Sequence, residues 1–253
     1  MNLRLFLEEI AREAGAITLK YFNNPGLEII TKSDETPVTR ADRETEEFLR
    51  SRIRSQFPED VILGEEFGTD GSNTDRRWIL DPIDGTKSFI HGVPLYGVLI
   101  GLEQGGKISH GVVHLPALNE TVSAGSGEGC FWNGKECRTS DVTKLEDSTV
   151  LMTNVQRVDR TSSSKAYHDI LGRAKLVRGW GDCYGHILVA TGRAEIMIDP
   201  QMAIWDSAPL GIIMEEAGGQ AFDSSGASTI DGGSLISCAR GIAEEVRSIL
   251  TTP

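Results

Sequence analysis

Two short apolar runs, Val61-Ile62-Leu63 and Trp78-Ile79-Leu80, each lead straight into acid. Gly64-Glu65-Glu66 follows the first and Asp81-Pro82-Ile83-Asp84-Gly85-Thr86 follows the second. Runs this short and this apolar read as buried strands. If the two strands are neighbours, their tips bring three or four carboxylates to one place. Pro82 fixes one φ angle and Gly85 permits a tight turn, so Asp81 and Asp84 can converge while the amides of Gly85 and Thr86 face an anion. Hard divalent cations such as Mg²⁺ take oxygen ligands of this kind and share them with substrate phosphate. An Asp-Pro-x-Asp-Gly run is also ordinary turn chemistry, so the hexapeptide alone leaves both readings open.

Charge sharpens the question. The net charge of −12 argues against a nucleic-acid backbone as partner, and an acidic chain that handles phosphate must screen its own field, most simply with bound cations. With 253 residues, 39% of them hydrophobic, the chain can bury one large core or two smaller ones. It has no apolar stretch of about 18 residues and no basic-then-apolar amino terminus, so a cytoplasmic protein without a membrane span is expected. Cys130, Cys137, Cys183 and Cys238 form no CxxC pair and no zinc spacing, which reads as reduced, mostly structural thiols.

Along the chain, Leu3, Phe6, Ile10, Ala14, Ile17 and Tyr21 recur at helical spacing, as do Thr45, Phe48, Leu49, Ile53 and Phe57. Between these helices, Leu27 to Ala41 holds a short β-prone piece and a polar stretch with Thr36-Pro37, which reads as a surface loop. A long hairpin is expected over Val93 to Leu102 and Ile108 to Leu115, turning at Gly105-Gly106, and a second turns at Asn133-Gly134. Strands near Thr149 to Met152, Leu176 to Arg178 and Glu195 to Ile198 alternate with helices near Lys165 to Leu171 and Tyr184 to Thr191. A helix, two strands and a helix over Ala239 to Leu250 then close the chain. The pattern is layered α/β. An amino-terminal half, residues 1–143, would carry most of the acids, and a carboxy-terminal half, residues 144–253, would follow a seam near Asp141 to Asp147.

Two further acids have two readings each. Asp206, in Trp205-Asp206, opens the apolar helical pattern of Ala208, Leu210, Ile212, Ile213 and Met214, with Pro209 in its first turn; there an Asp commonly caps the helix. Asp42 lies three residues after Thr39 at the start of the second helix, where a first-turn acid is favoured by the helix dipole.

Taken jointly, Gly64-Glu65-Glu66, Trp78-Ile79-Leu80-Asp81-Pro82-Ile83-Asp84-Gly85-Thr86, Ala190-Thr191-Gly192, and Trp205-Asp206 followed by Glu216-Ala217-Gly218-Gly219 resemble the inositol monophosphatase family of metal-dependent, lithium-sensitive phosphatases. The resemblance runs nearly end to end. It implies a five-layer αβαβα sandwich, a homodimer, and hydrolysis of a phosphate monoester with two to three Mg²⁺ ions. It further implies that Glu65, Asp81 and the Ile83 carbonyl hold a first ion, that Asp81, Asp84 and Asp206 hold a second, and that a third leans on Glu65 through water. Thr86 with Asp42 would orient or deprotonate the attacking water, and the Gly85 and Thr86 amides would hold phosphate. The chemistry fits these residue types, because an anionic ester resists anionic attack until cations stand between.

The flanks bear on the substrate. Thr86-Lys87-Ser88-Phe89-Ile90, Gly92-Val93-Pro94-Leu95-Tyr96-Gly97 and Trp180-Gly181-Asp182-Cys183-Tyr184-Gly185 resemble the histidinol-phosphatase branch. In the family, the segment at Asp182 and the position of Asp199 line the pocket for the leaving alcohol. Carboxylates there suit an alcohol that carries an ammonium and an imidazole, although inositol enzymes also place an acid at the Asp199 position. Inositol 1-phosphate or a broad set of sugar phosphates is the alternative substrate class, and a non-catalytic metal-binding or phosphate-binding homologue is the alternative of another kind. Lys87 would lie near the phosphate or simply in solvent, His91 is a candidate for the pocket rim, and Thr31 to Thr36 is a candidate lid.

Overall fold

Helix α1 (Leu3–Thr18) forms where apolar residues recur at helical spacing. Phe6, Leu7, Ile10, Ala11 and Ala14 are buried, and the Asn2 side chain accepts the N–H of Leu5 at 2.9 Å to cap the start. The computed structural model describes residues 1–24, 26, 29–31, 37–72 and 75–252. Most of the Thr31 to Thr36 segment lies outside the described residues. Strands β1 (Ile29–Thr31) and β2 (Pro37–Thr39) pair antiparallel, so Pro37 enters a short ribbon rather than the expected loop. Helix α2 (Arg40–Gln56) follows, started by a capping box between Thr39 and Asp42.

The first sheet takes β3 (Val61–Gly64), β4 (Gly68–Asp70), β5 (Arg76–Asp84), β6 (Gly97–Gln104), β7 (Lys107–Leu115), β8 (Glu120–Gly125), β9 (Gly129–Trp132) and β10 (Lys135–Cys137), with α3 (Thr86–Ile90) between β5 and β6. Its order is β10-β9-β8-β7-β6-β5-β3-β4. Then come β11 (Thr149–Met152), α4 (Val155–Arg160), α5 (Ser164–Arg173), β12 (Leu176–Arg178), α6 (Asp182–Ala190), β13 (Ile196–Asp199), α7 (Ile204–Glu216), β14 (Gln220–Phe222), β15 (Leu235–Cys238) and α8 (Ala243–Thr251). The second sheet is ordered β12-β11-β13-β15-β14.

Three apolar clusters glue five layers. Leu7, Ile10 and Leu49 of α1 and α2 pack on Trp78, Ile100 and Val112 of the first sheet. On the other face of that sheet, Leu99, Val113 and Val122 meet Ile187 and Leu188 of α6 and Leu210 and Ile213 of α7, which also touch Leu151 and Met197 of the second sheet. Beyond it, Ile196, Ile198 and Ile236 meet Tyr167 and Ile170 of α5 and Val246 of α8. The result is the expected αβαβα sandwich.

Several boundaries differ from the sequence reading. Strand β5 does not stop at Leu80 but carries the Asp-Pro-Ile-Asp run within it; its register against β6 shifts between Asp81 and Asp84, and that irregularity is where Pro82 is tolerated. Strand β6 starts at Gly97, not Val93, because the preceding residues leave the sheet for a loop around the Phe89–Tyr96 ring contact, 4.8 Å between centroids. Helix α6 starts at Asp182, and the last helix starts at Ala243. Pro209 is the sixth residue of α7 rather than part of its first turn.

Close packing sets the position of α7. A Cβ on Gly111 would lie 2.5 Å from the Pro209 carbonyl oxygen, and one on Gly101 would lie 3.1 Å from Ala208 Cβ. Only glycine on β6 and β7 lets the helix come this near, and the approach points its amino end at the tip of β5.

A candidate metal-dependent active site

Strands β3 and β5 are parallel neighbours with Gly64 beside Leu80, and the Glu65 N–H donates to the Leu80 carbonyl at 3.2 Å. The acids that follow both strands therefore gather at one end of the first sheet. The amino end of α7 adds Asp206, and Asp81, Asp84 and Asp206 each present an oxygen within 4.8 Å of the other two.

Backbone donors fix each carboxylate. Asp81 Oδ1 accepts the Ile83 N–H at 3.0 Å, Asp84 Oδ2 accepts the Cys183 N–H at 2.6 Å, and Asp206 Oδ2 accepts the Ala203 N–H at 2.8 Å. Asp206 is thus not the N-cap that the sequence suggests but the third residue of α7, reaching back to the Ala203 cap while also standing in the acidic cluster. Burial, then the charges of Glu65, Asp206 and Asp84, lift Asp81 well above the ordinary carboxylate value. Burial, then Asp182 and Asp206, do the same to Asp84, and burial chiefly pushes Asp206 up to about 6.

Three acids this close resist ionising together, and the donor set is all oxygen. Both facts suit a divalent hard cation, whose charge would turn mutual repulsion into shared ligation. Among the described residues Glu65 stands outside the converging triplet, yet its charge is felt by Asp81, Asp206 and Asp42. The Ile83 carbonyl accepts the Thr86 hydroxyl at 3.1 Å.

Asp42 is buried at the start of α2. Its Oδ2 accepts the Thr39 N–H at 2.8 Å and the Thr39 hydroxyl at 2.6 Å, while Oδ1 is buried without a partner among the described residues. Burial, offset in part by the Thr39 bonds, brings it up to about 6. The bonds to Thr39 thus occupy one oxygen and leave the other.

Beside the triplet lies a second acidic group. Gly85 sits at φ 78°, and a Cβ there would meet the Leu95 carbonyl at 3.1 Å and Asp182 Oδ2 at 3.2 Å, so Asp182 lies directly against the Gly85-Thr86 turn. Asp182 itself has φ 53°, a left-handed conformation at the first residue of a helix. Its Oδ2 accepts the Ser88 hydroxyl at 3.2 Å, its N–H donates to Thr153 Oγ1 at 2.9 Å, and the Thr153 hydroxyl donates to Asp199 Oδ2 at 2.6 Å. Asp199 Oδ1 is buried without a partner among the described residues, and burial pushes Asp199 up to about 7. Burial also raises Asp182 above the ordinary carboxylate value, offset in part by the Ser88 hydroxyl and by the charges of Arg157 and Lys87; Arg157 offsets a part of the rise of Asp199 as well. His91 is exposed, and its Nδ1 lies 2.8 Å from the Lys87 carbonyl, closing the end of α3.

Sequence reasoning passed over Ser88, Thr153 and Arg157. Thr153 carried a readable signal: β11 and β13 are parallel with Met152 beside Ile198, so the residues just past each, Thr153 and Asp199, face one another. Arg157 carried none.

The sequence model of the inositol monophosphatase family matches residues 2–251. A histidinol-phosphatase of Chlorobaculum parvum is 48% identical over 93% of this chain and 91% of its own, and one of Mycobacterium tuberculosis is 37% identical over 90% and 89%. The crystal structure of the extragenic suppressor protein suhB of Bartonella henselae superposes with a TM-score of 0.90 at 26% identity, covering 100% of this chain and 99% of that one. An IMPase of Thermotoga maritima superposes with a TM-score of 0.88 at 29% identity, covering 99% and 97%. With its five-layer fold and converging carboxylates, this chain belongs to the inositol monophosphatase family.

Proposed function

We propose that the protein is a Mg²⁺-dependent phosphate monoester hydrolase whose substrate is L-histidinol phosphate, giving L-histidinol and phosphate in histidine biosynthesis. The observation that carries the chemistry is the convergence of Asp81, Asp84 and Asp206 within 4.8 Å. Two features support the substrate. Asp182 and Asp199 stand joined through Thr153 beside the phosphate turn, and the relative from Chlorobaculum parvum, named a histidinol-phosphatase, is 48% identical.

Asp81, Asp84 and Asp206, with Glu65 and the Ile83 carbonyl, would hold the divalent ions. Bound there, such ions neutralise the ester's charge, lower the pKa of water and stabilise the leaving oxygen. The chain's own groups do the rest. The amides of Gly85 and Thr86 hold phosphate oxygens, with Lys87 adding positive charge nearby. Thr86 Oγ1 and the open Oδ1 of Asp42 orient the attacking water and take its proton, a task suited to a carboxyl raised to about 6. Asp182 and Asp199 accept charge-assisted hydrogen bonds from the ammonium and imidazole of the alcohol. Family membership supports lithium sensitivity and a homodimer as part of the same reading, and the sequence supports a cytoplasmic location. No described helix is long and apolar enough to cross a membrane.

The test is kcat/KM for L-histidinol phosphate and inositol 1-phosphate side by side. A preference for histidinol phosphate of about a hundredfold or more is expected, the size of one or two charge-assisted contacts. Equal or inverted values would move the reading to inositol or general sugar phosphates, which several relatives' names also carry.

A further inference from the structure

Cys130 and Cys137 occupy facing positions on the antiparallel strands β9 and β10, and their sulfur atoms lie 3.5 Å apart. Directly opposed residues on such strands have Cα atoms about 4.5–5.5 Å apart, inside the range a disulfide spans. The pair differs in exposure. Cys130 is buried in the cluster between the first sheet and α7, whereas Cys137 is half-buried on the edge strand, between exposed Glu136 and Arg138.

We propose that Cys130 and Cys137 form a dithiol site that closes reversibly to an intramolecular disulfide when the folded protein meets a small organic disulfide such as oxidised glutathione. Cys137 is the entry point. Its thiolate is favoured by the Cys130 thiol and by Arg193, whereas the contact with Cys137, then burial and Glu216, disfavour ionisation of Cys130. The Cys137 thiolate attacks one sulfur of oxidised glutathione, its S–S bond breaks, and one glutathione leaves as the thiolate. Cys130 gives its proton to that leaving thiolate and attacks the Cys137 sulfur, and the second glutathione leaves as a thiolate that takes from water the proton Cys137 gave up. In sum two protein thiols are oxidised and one oxidised glutathione becomes two reduced ones. The closed bond would pin β10 at the point where the chain leaves the first sheet, since Thr139, two residues on, already donates its N–H to the Ala217 carbonyl at 3.0 Å.

The other two cysteines supply an internal control, because Cys183 and Cys238 are buried and neither has a thiol neighbour among the described residues. The folded protein is incubated with oxidised glutathione, denatured, alkylated and digested with trypsin, which cleaves after Lys135 and separates the pair. The expected result is a joined pair of peptides carrying Cys130 and Cys137, with no retained glutathione, alkylated Cys183 and Cys238, and full reversal by dithiothreitol. Four alkylated cysteines, or a lasting glutathione adduct on Cys137 in the wild-type protein, would overturn the proposal. In Cys130→Ser the resolving sulfur is gone, so one glutathione should remain on Cys137; a variant that retains none would remove Cys137 as the entry point.

Discussion

The Cys183 N–H donates to Asp84 Oδ2 at 2.6 Å, tying the first turn of α6 to the carboxylate loop in β5. One residue earlier, Asp182 holds the Ser88 hydroxyl of α3. The triplet and the acidic group of Asp182 and Asp199 are therefore parts of one hydrogen-bonded unit, although Asp84 and Ser88 lie more than 90 residues from Cys183 and Asp182 in the chain. Each partner in that unit has a distinct consequence when changed.

Asp84→Asn keeps an oxygen for the Cys183 N–H and removes a charge from the triplet. The fold should survive, with the metal-free melting temperature equal to or above that of the unchanged protein, because repulsion is relieved. Turnover should fall roughly a thousandfold or more, as a ligand change costs several kcal/mol of charge stabilisation. Activity within tenfold of the parent would remove Asp84 from the metal site.

Asp182→Asn separates charge from backbone. Asn tolerates the left-handed φ of 53° and still accepts the Ser88 hydroxyl, whereas Ala would add strain. Loss of a charge-assisted contact of about 1.5–3 kcal/mol predicts a ten- to hundredfold fall in kcat/KM for L-histidinol phosphate. For inositol 1-phosphate the change should stay within about threefold. An equal fall on both substrates would remove the ammonium contact from the account.

Without metal, stability should decline as pH rises from 6.5 to 8.5. Asp199 is raised to about 7, and Asp81 and Asp84 stand well above their ordinary value, so the folded state holds protons there that the unfolded chain has lost. His114, lowered to about 4, and His186, lowered to about 3, act in the opposite sense, but their effect fades above about 7.5, because imidazole in the unfolded chain is half-charged near 6.5 and almost wholly neutral beyond that. Thermal melts across this window with chelator present, and again with Mg²⁺, give the check. The metal-free curve should slope downward and Mg²⁺ should raise the melting temperature most at the high-pH end. A metal-free protein that gains stability over this range would contradict the buried cluster.

Gly64→Ala tests how Glu65 is placed. A Cβ at Gly64 would lie 2.0 Å from Oε1 of Glu46, a buried carboxylate that holds the Glu66 N–H at 2.7 Å. Overpacking of this kind costs about 1–3 kcal/mol, so the melting temperature should drop by several degrees and activity should fall with it. Unchanged melting and turnover would show that the strand end has slack.

The fold was legible wherever a single segment decided it. The periodicity of α1 and α2, the Asn133-Gly134 turn, and β11 and β12 stand where local pattern put them, the two strands to the residue. Local pattern failed at β5, because whether an Asp-Pro-Ile-Asp run is strand or turn depends on the partner β6 and on the shift of register it accepts. The acids were legible for a similar reason. Asp81 and Asp84 share one strand end, whereas Asp42 and Asp206 each reach back with Oδ2 to the N–H of the residue that caps their helix, a use of the side chain that no sequence spacing reveals. Thr153 and Ser88 were missed because their importance lies in what they hold, Asp199 and Asp182, across distances of 46 and 94 residues.

The most direct test of the central claim is phosphate release from L-histidinol phosphate by the wild-type protein as purified, after exhaustive chelation, and after Mg²⁺ is returned. The account predicts loss of turnover on chelation and its recovery with Mg²⁺, with Asp84→Asn inactive throughout. Turnover that persists unchanged in chelator would contradict a metal-dependent site built on Asp81, Asp84 and Asp206.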